Sequence, residues 1–373
     1  MSEGEVLLVS KPVVPPWHDS SKNLVRDLAT HMGRHTPIVL SRAGAHVELG
    51  RARIEPLYSA DAGGFSPALA DNLRVLRRLV LGPRPSLWHF FFAPNPRTST
   101  VAKLAATARG MRTVQTVCSA PADHVDPRAV LFAERIVVLS RHTERRFLDA
   151  GIDAARLRLI RPSIPALEPR SESERASVRT RLSLPESAPI VLYAGDLEFG
   201  KGAELALRAH RALPASLGAW LVMACRTKTA AAKDKERTLR EQAESMGTAS
   251  RISWLGETRF IHDLLAAADV VTLPTDTLYA KMDMPLVLVE AMALERAVVV
   301  GRGTPAEELA EGGAARAVET EVDAVAEVTR SLLEDAHARV ELGRRGRAHV
   351  QRRYAPERMA HEYEAVYDEL LAP

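Results

Sequence analysis

Residues 190–202 read Ile-Val-Leu-Tyr-Ala-Gly-Asp-Leu-Glu-Phe-Gly-Lys-Gly, and this stretch decides the fold. Its first four residues are apolar and predict a buried strand, and the glycines that follow predict a tight turn into a helix. A helix N-terminus presents unpaired backbone amides, and Lys201 adds a positive charge beside them. The stretch predicts a strand–turn–helix unit that can hold a phosphate, with a plain turn bearing a surface lysine as the alternative.

This stretch differs from a nucleotide P-loop at one decisive position. The run from Gly195 through Gly200 and Lys201 has the P-loop spacing, but Gly202 stands where that loop has a magnesium-binding Ser or Thr. Because that hydroxyl is missing, we do not expect a nucleoside triphosphatase.

Short apolar runs alternate with segments of helical period along the whole chain, as in Val6–Val9 followed by 24–32. Continuous apolar strands between helices indicate parallel sheets covered on both faces. We predict an α/β fold of two Rossmann-like, doubly wound domains facing a cleft, with ligands at the carboxyl ends of the strands. The predicted divisions are residues 1–166, a polar linker at 167–187 that contains a short helix at 173–182, residues 188–355, and a last helix at 356–373.

Composition excludes several classes of protein. The chain has 373 residues, of which 46% are hydrophobic and 26% charged, so it can form sizeable cores. No apolar run approaches the roughly 20 residues of a membrane-spanning helix, and the N-terminal residues lack the pattern of a secretory signal. Two cysteines, Cys118 and Cys225, form neither a disulfide framework nor a four-cysteine zinc site. These features predict a cytoplasmic protein with reduced thiols.

Charge divides unevenly along the chain. Residues 1–170 carry 24 Lys and Arg against 15 Asp and Glu, a net charge of +9. The remaining residues carry 26 against 32, a net charge of −6. The basic half predicts contact with an anionic or membrane-borne partner.

One carboxylate stands in an unusually apolar segment. Residues 282–294 read Met-Asp-Met-Pro-Leu-Val-Leu-Val-Glu-Ala-Met-Ala-Leu, which predicts a helix with Pro285 in its first turn and Asp283 as its cap. Glu290 then lies inside the helix, where a carboxylate needs a partner. A sugar diol can donate to both of its oxygens. The alternative is a buried glutamate held by local backbone or arginine contacts.

These motifs together resemble the donor domain of GT-B glycosyltransferases, closest to the retaining family four (glycosyl transferases group 1). The family motif G-R-L-x3-K-G reads Gly195-Asp-Leu-x3-Lys201-Gly202 here, and E-x7-E followed by A-M-A reads Met282-x7-Glu290-Ala-Met-Ala. Between them, Ile252-Ser-Trp-Leu-Gly256, an Ala-Ala-Asp and a Leu-Pro follow the family's order. The resemblance covers residues 188–312 well and the first half more loosely.

The resemblance implies roles for these residues. Lys201 would neutralise the donor diphosphate, Glu290 would hold the nucleotide ribose, and the backbone amides of 283–286 would face the sugar. It implies a nucleotide-diphosphate sugar, with UDP or GDP as the nucleotide, as substrate, and neither a separate cofactor nor a metal. The implied catalytic residues are Lys201, Asp283 and Glu290. The implied donor-binding residues are Gly195, Asp196, Lys201, Gly202, Arg226, Gly256, Glu257, Met284, Pro285, Leu286 and Glu290.

Two positions depart from the family pattern. Asp196 replaces the usual arginine, which removes a bidentate phosphate contact and adds a negative charge. Arg226, Lys228 and Arg302, near predicted strand ends, are candidates to compensate. Met282 replaces the first acid of E-x7-E, and Asp283 is the candidate to replace it.

The N-terminal half offers candidate acceptor or phosphate contacts near its predicted strand ends. Each has an alternative: a rigid proline-rich loop around Trp17, histidines that only pack, and a passive thiol at Cys118. The candidates are Trp17, His18, Ser20, Ser21, His89, Cys118 and Arg141.

A basic, apolar helix is predicted at residues 73–81, Leu-Arg-Val-Leu-Arg-Arg-Leu-Val-Leu. Such a helix suits peripheral contact with an anionic membrane, here the inner membrane face. The alternative is an ordinary domain helix with a solvated face. Dispersed arginines without stacking aromatic residues do not predict nucleic-acid binding.

We therefore predict a bacterial hexosyltransferase of glycan biosynthesis that is retaining and metal-independent and transfers sugar to a hydroxyl of a glycan, a lipid-linked acceptor or an anionic small molecule. The alternatives are a GT-B sugar-nucleotide epimerase or hydrolase, and a non-catalytic partner subunit. In relatives the last helix crosses back to the N-terminal domain, and the resemblance implies the same here.

Overall fold

The computed structural model describes residues 3–61, 67–195, 197–227 and 229–372. The chain divides into two compact units. The N-terminal unit comprises Met1–Pro165, Ala280–Met284 and Tyr354–Pro373, and the C-terminal unit comprises Ala166–Tyr279 and Pro285–Arg353.

The N-terminal unit is built on a seven-stranded sheet of order β3-β2-β1-β4-β5-β6-β7, whose paired strands are all parallel. Its strands are β1 Glu5–Val9, β2 Thr36–Arg42, β3 Arg53–Tyr58, β4 Leu87–Phe91, β5 Arg112–Thr116, β6 Arg135–Val138 and β7 Leu157–Leu159. The helices that follow them are α1 Ser20–His31, α2 Leu69–Leu81, α3 Pro96–Arg109, α4 Pro127–Val130 and α5 Arg141–Asp149.

The C-terminal unit is built on a six-stranded parallel sheet of order β10-β9-β8-β11-β12-β13. Its strands are β8 Ile190–Tyr193, β9 Trp220–Met223, β10 Ile252–Trp254, β11 Val270–Leu273, β12 Ala297–Gly301 and β13 Arg316–Val318. Its helices are α6 Glu172–Arg181, α7 Gly202–Ala212, α8 Ala230–Ser245, α9 Ile261–Ala267, α10 Leu286–Ala293, α11 Val322–Glu334 and α12 Ala336–Arg353. The last helix of the chain is α13 Pro356–Leu371.

Both sheets therefore have the doubly wound α/β order that the apolar runs predict. Their central strands are buried on both faces, as parallel sheets require. In the C-terminal sheet the order reverses between β8 and β11, so loops 194–201 and 274–285 leave neighbouring strands at the switch point. That is where ligands bind in open α/β sheets.

Three elements differ from the sequence pattern. Residues 322–353 form two helices, α11 and α12, and not one continuous helix, because Asp335 adopts an extended conformation between them. The short strands β3 and β13 are not evident from the sequence, since they mix charged with apolar residues.

Residues 167–187, predicted as a linker, contain α6 and lie in the C-terminal unit. Helix α6 is held by ion pairs rather than by an apolar face. Arg175 and Arg179 both donate to the Asp269 carboxylate at 2.9 Å. Burial opposes ionisation of Asp269, but the hydrogen bond from the Ile190 amide and these two arginines together lower its pKa. Polar docking of this kind leaves no hydrophobic period in the sequence.

Helix α13 packs within the N-terminal unit against α1. Its Tyr363 and Tyr367 are fully buried in that unit's core. The Glu364 carboxylate is 4% exposed and accepts hydrogen bonds from the backbone amides of Gly33, Arg34 and His35. One side chain thus satisfies three consecutive amides that follow α1.

Replacing Glu364 with alanine is expected to lower the free energy of unfolding by about 2–3 kcal/mol, because three backbone amides, of which the one of His35 is buried, lose a charged acceptor. Urea denaturation measures the change. Glu362→Ala is the matched control, since that carboxylate lies on the same helix and bonds to the exposed Arg358. Equal losses in the two variants would contradict this role for Glu364.

Candidate functional site

The loop after β8 requires glycine at two positions for steric reasons. A Cβ on Gly195 would lie 2.5 Å from the Tyr193 hydroxyl and 2.8 Å from Leu273. Gly200 has a φ of +74°, and a Cβ there would lie 2.7 Å from the Thr275 hydroxyl. The glycine pattern therefore lets this loop pass close to the loop that follows β11. Gly202 is the first residue of α7 and lies against the same Thr275.

Lys201 lies at the N-terminal end of α7 with an exposed side chain. Its backbone amide donates to the Asp276 carboxylate at 2.8 Å. An anionic group of the protein therefore already meets the helix N-terminus where the sequence predicts a phosphate. The sequence does not identify Asp276 as a partner of the Lys201 amide. The two residues meet because their loops follow the neighbouring strands β11 and β8. Asp196 lies outside the described residues.

Glu290 lies on α10, where its side chain is 13% exposed. The His262 Nε2 atom on α9 lies 3.5 Å from the Glu290 Oε1 atom. The hydrogen bond to Glu290 raises the pKa of His262, although burial opposes the shift. The glutamate thus has a histidine partner rather than the backbone or arginine contacts of the alternative interpretation. The sequence holds no signal for this pair, because α9 and α10 meet only in the folded unit.

A His262→Gln variant is expected to remove a pH-dependent part of the stability. Because the folded-state pKa is raised, the pair stabilises fully below the unfolded value of about 6.5 and is lost as pH rises through the folded value. Since His262 is 39% exposed, we expect less than about 1 kcal/mol. Urea denaturation below and above this pH range measures it. The exposed His337→Gln is the control, and a wild-type-to-variant difference that stays constant with pH would contradict the assignment.

The predicted base-binding edge follows β9 and β10. Arg226 Nη1 lies 3.7 Å from the Glu257 Oε1 atom, so these two predicted donor residues form an ion pair. Gly256 has a φ of +61°, and no described atom lies within 4 Å of a Cβ built on it. Glycine is therefore needed at this position for its positive φ and not for lack of space.

The structure corrects the prediction that Asp283 caps α10. Pro285 is the residue that precedes α10, and no described side chain caps that helix. The Asp283 carboxylate is 2% exposed and accepts hydrogen bonds from the Ser140 hydroxyl at 2.7 Å and the Thr143 hydroxyl at 2.5 Å. Burial raises its pKa, although these hydrogen bonds oppose the shift. Asp283 is thus bound at the start of α5, in the N-terminal unit.

The residues adjacent to Asp283 in sequence, Met282 and Met284, also lie in the N-terminal unit. The Asp283 amide donates to the Cys118 carbonyl at 2.8 Å, and Met284 is fully buried. Met282 packs against the apolar core there, which explains an apolar residue at this position. Of the four residues whose amides were predicted to face a sugar, Asp283 is engaged and Pro285 has no N–H. Met284 and Leu286 remain as candidates.

Asp19 caps α1 and occupies its N-terminal amides. Its carboxylate accepts from the Ser21 amide at 2.9 Å, the Ser21 hydroxyl at 2.6 Å and the Lys22 amide at 3.4 Å. Burial opposes ionisation, but Lys11 and the Ser21 hydrogen bonds lower the pKa of Asp19 to about 2. Ser20 is the first residue of the helix. The anion at this helix start is therefore the protein's own carboxylate, and not the predicted acceptor or phosphate.

The loop that precedes α1 carries two aromatic residues, Trp17 and His18, which are only partly buried. Trp17 is half-buried, and the Arg26 guanidinium lies 5.1 Å from its ring centroid. One ring face therefore already has a cationic partner. His18 is half-buried beside it. Arg141 is exposed and is the first residue of α5, which Ser140 caps.

His89 lies in the middle of β4 and not at its end, which corrects the sequence interpretation. Its ring nitrogens lie 2.6 Å from the Tyr367 hydroxyl and 2.8 Å from the Thr116 hydroxyl. Complete burial holds its pKa well below the ordinary value, so the ring is neutral. This placement agrees with the alternative left open above, a histidine that packs in the core.

Cys118 is 4% exposed at the end of β5. Burial and the nearby Asp19 and Asp283 carboxylates raise its pKa to about 12. A thiol that does not ionise near neutral pH is a poor nucleophile. The structure thus agrees with the passive-thiol alternative.

Two kinds of feature are absent from the described residues. Among them, no cluster of three or more His, Cys, Asp and Glu side chains is arranged to hold a metal ion. None of the helices in that part of the chain has the length and apolar character needed to cross a membrane.

Comparison with known families identifies the C-terminal unit. Residues 174–349 match the family described as Glycosyl transferases group 1. This segment is therefore similar to group 1 glycosyltransferase domains. The match includes the glycine loop with Lys201 and the helix with Glu290, and it confirms the predicted family.

The curated relatives are also named glycosyltransferases. D-inositol 3-phosphate glycosyltransferases from Xylanimonas cellulosilytica and Salinispora tropica are 26% identical over 276 residues and 27% identical over 302 residues. The alignments cover 67% and 72% of this chain, and 62% and 59% of the relatives. The chain thus spans about 60% of the length of the curated relatives it matches.

Solved structures confirm the GT-B fold class. Anabaena HepE in complex with UDP and glucose has a TM-score of 0.78 at 17% identity, covering 98% of this chain and 100% of that one. Sucrose-phosphate synthase from Thermosynechococcus elongatus has a TM-score of 0.78 at 19% identity, covering 99% of both chains. At these identities the likeness concerns the fold.

Proposed function

We propose that the protein transfers a hexosyl group from a nucleotide-diphosphate sugar to an acceptor hydroxyl. One observation carries the proposal. Lys201 and Glu290 follow the neighbouring strands β8 and β11, at the switch point of a group 1 glycosyltransferase sheet. A cation beside helix amides suits a diphosphate, and a half-enclosed carboxylate suits a ribose diol.

The proposed donor is a UDP-sugar, with GDP as the other nucleotide to test. HepE was solved with UDP-glucose, and its fold is similar to this one. Lys201 would stabilise the negative charge that develops on the leaving diphosphate. We propose a metal-independent reaction on this ground, because the ammonium group supplies the charge that a metal supplies elsewhere.

Retention of configuration is part of the proposal and rests on the family resemblance. In such a site the leaving phosphate takes the proton from the incoming hydroxyl, so no protein base is required. The buried, unionised Cys118 and the core residue His89 agree with a mechanism that uses neither as a base.

The proposed acceptor is anionic or lipid-linked. The first 170 residues carry a net charge of +9, which favours an anionic molecule. The curated relatives are named for D-inositol 3-phosphate, which is an anionic molecule. We propose a role in bacterial glycan biosynthesis on the cytoplasmic side of the membrane.

A thermal-shift screen of UDP- and GDP-sugars tests the donor. A ligand at about 100 times its Kd should stabilise the protein by about 2.7 kcal/mol. Transfer is then tested by following release of the nucleotide with and without anionic sugar acceptors. Donor breakdown at the same rate without any acceptor would indicate a hydrolase or epimerase instead.

One observation favours a second candidate, a glycosyltransferase-like subunit without transfer activity. Asp283, the candidate replacement for the missing acid at Met282, has both its carboxylate and its amide engaged at α5 and Cys118. A donor site that stays empty at millimolar UDP-sugar would support this candidate, and tight donor binding with turnover would exclude it.

A further inference from the structure

Exposed apolar side chains concentrate on two helices of the N-terminal unit. Six of the ten large exposed apolar side chains in the described part of the chain lie on α2 and α3. We call them the apolar face: Leu69, Leu73, Val80 and Leu81 on α2, with Val101 and Leu104 on α3. Leu69, Leu81 and Leu104 are 76%, 74% and 65% exposed, which is unusual for leucine.

The geometry of the helices turns this face outward on one side of the sheet. Leu69, Leu73 and Val80 share one stripe of α2, and Val101 and Leu104 share one stripe of α3. Other residues of the two helices enter one common core: Leu79 of α2, and Ala102, Ala105 and Ala106 of α3. The helices also contact each other. The two exposed stripes therefore lie on adjacent helices that share one core.

Charge around this surface has one sign. Helices α2 and α3 contain six basic residues and a single acid, Asp71. The Asp71 side chain is 1% exposed and accepts hydrogen bonds from Ser59 and Arg74. Arg78 turns inward to Glu55. The exposed charges beside the apolar face are positive: Arg74, Arg77, Arg97 and Lys103.

We propose that the apolar face docks on an anionic membrane surface. Leucines flanked by arginine and lysine insert their apolar side chains between lipid head groups while the cations pair with anionic lipid. An anionic lipid surface can pair with the exposed cations at this rim, Arg77, Arg97 and Lys103, whereas Arg74 is already paired with Asp71. The proposal extends the predicted contact at residues 73–81 to α3, and it does not depend on the proposed transferase activity.

Co-sedimentation of the full chain with vesicles tests the proposal. We expect binding to vesicles of phosphatidylcholine mixed with phosphatidylglycerol, and little binding to phosphatidylcholine alone. The Leu73→Glu/Leu104→Glu variant should bind about tenfold more weakly, since apolar burial is lost and charge is reversed. The Arg77→Gln/Arg97→Gln variant should bind about tenfold more weakly and with a shallower salt dependence. Val340→Glu, at an exposed apolar position on α12, is the matched control and should bind like the wild type.

Three outcomes would overturn the proposal: equal binding to both vesicle types, no binding to either, or wild-type binding by the Leu73→Glu/Leu104→Glu variant. A dimer in size-exclusion chromatography that this variant dissociates would assign the apolar face to a second copy of the chain instead. Thermal unfolding and UDP-glucose binding should be unchanged in these variants, because the substituted side chains are exposed. That readout separates failure of membrane docking from failure of the proposed function.

Discussion

A Lys201→Ala variant is expected to lose about a hundredfold or more in kcat/KM for transfer from its UDP-sugar. The Lys201 side chain lies exposed at the N-terminus of α7, and Asp276 already accepts the hydrogen bond from its backbone amide. The ammonium group is therefore the part of this residue left for the diphosphate. Removing one preorganised group that stabilises developing negative charge costs on the order of 10²–10³ in rate. Steady-state kinetics with a UDP-sugar measures the loss.

The substitution should leave the fold intact, because the Lys201 side chain is exposed. Thermal unfolding of the variant should match the wild type. Lys233→Ala is the matched control, since Lys233 is an exposed lysine on α8 of the same unit. An unchanged kcat/KM in Lys201→Ala would remove this residue from the mechanism, and a loss of equal size in Lys233→Ala would point to bulk charge instead.

A Glu290→Gln variant is expected to bind UDP-glucose about 10- to 100-fold more weakly. Hydrogen bonds to a charged group contribute about 1.5–3 kcal/mol, and the amide keeps one oxygen acceptor while losing the charge. His262 contacts one oxygen of the Glu290 carboxylate. The glutamate side chain is therefore already oriented before a ribose diol binds to it. Isothermal titration calorimetry measures the change in Kd.

A comparison of UDP with 2′-deoxy-UDP makes this test specific for the ribose. If Glu290 holds the diol, loss of the 2′-hydroxyl should weaken binding to the wild type far more than binding to Glu290→Gln. Glu244→Gln, at an exposed glutamate on α8, is the control. Independent, additive effects of the two changes would contradict a contact between Glu290 and the ribose.

Local patterns predict the scaffold of this protein well, because buried strands and glycine turns have causes that lie within a few residues. The run 190–193 forms β8, and the steric contacts of Gly195 and Gly200 explain why glycine is needed after it. The same holds for the order of motifs up to Glu290, which places that residue on the helix after β11.

Polar partners are the part that local patterns miss. His262 meets Glu290, Asp276 meets the Lys201 amide, and Asp269 meets two arginines of α6, each across a large separation in sequence. No periodicity marks such pairs, since a hydrogen bond needs two atoms in place and not a repeated residue type. The prediction for Asp283 was wrong for this reason. It assumed that the side chain caps the helix next to it in sequence, whereas the carboxylate accepts hydrogen bonds from Ser140 and Thr143.

The sequence by itself determined two doubly wound sheets, a group 1 glycosyltransferase motif set, and the placement of Lys201 and Glu290 after strands of one sheet. These follow from short-range sterics and from burial of apolar runs, which each segment encodes locally. Tertiary packing, and no local pattern, binds Asp283 at α5 and leaves Leu69, Leu73, Leu81 and Leu104 exposed on α2 and α3. These contacts depend on which polar and apolar surfaces meet when the helices and strands pack. They are therefore a property of the whole folded unit and cannot be predicted from one short segment.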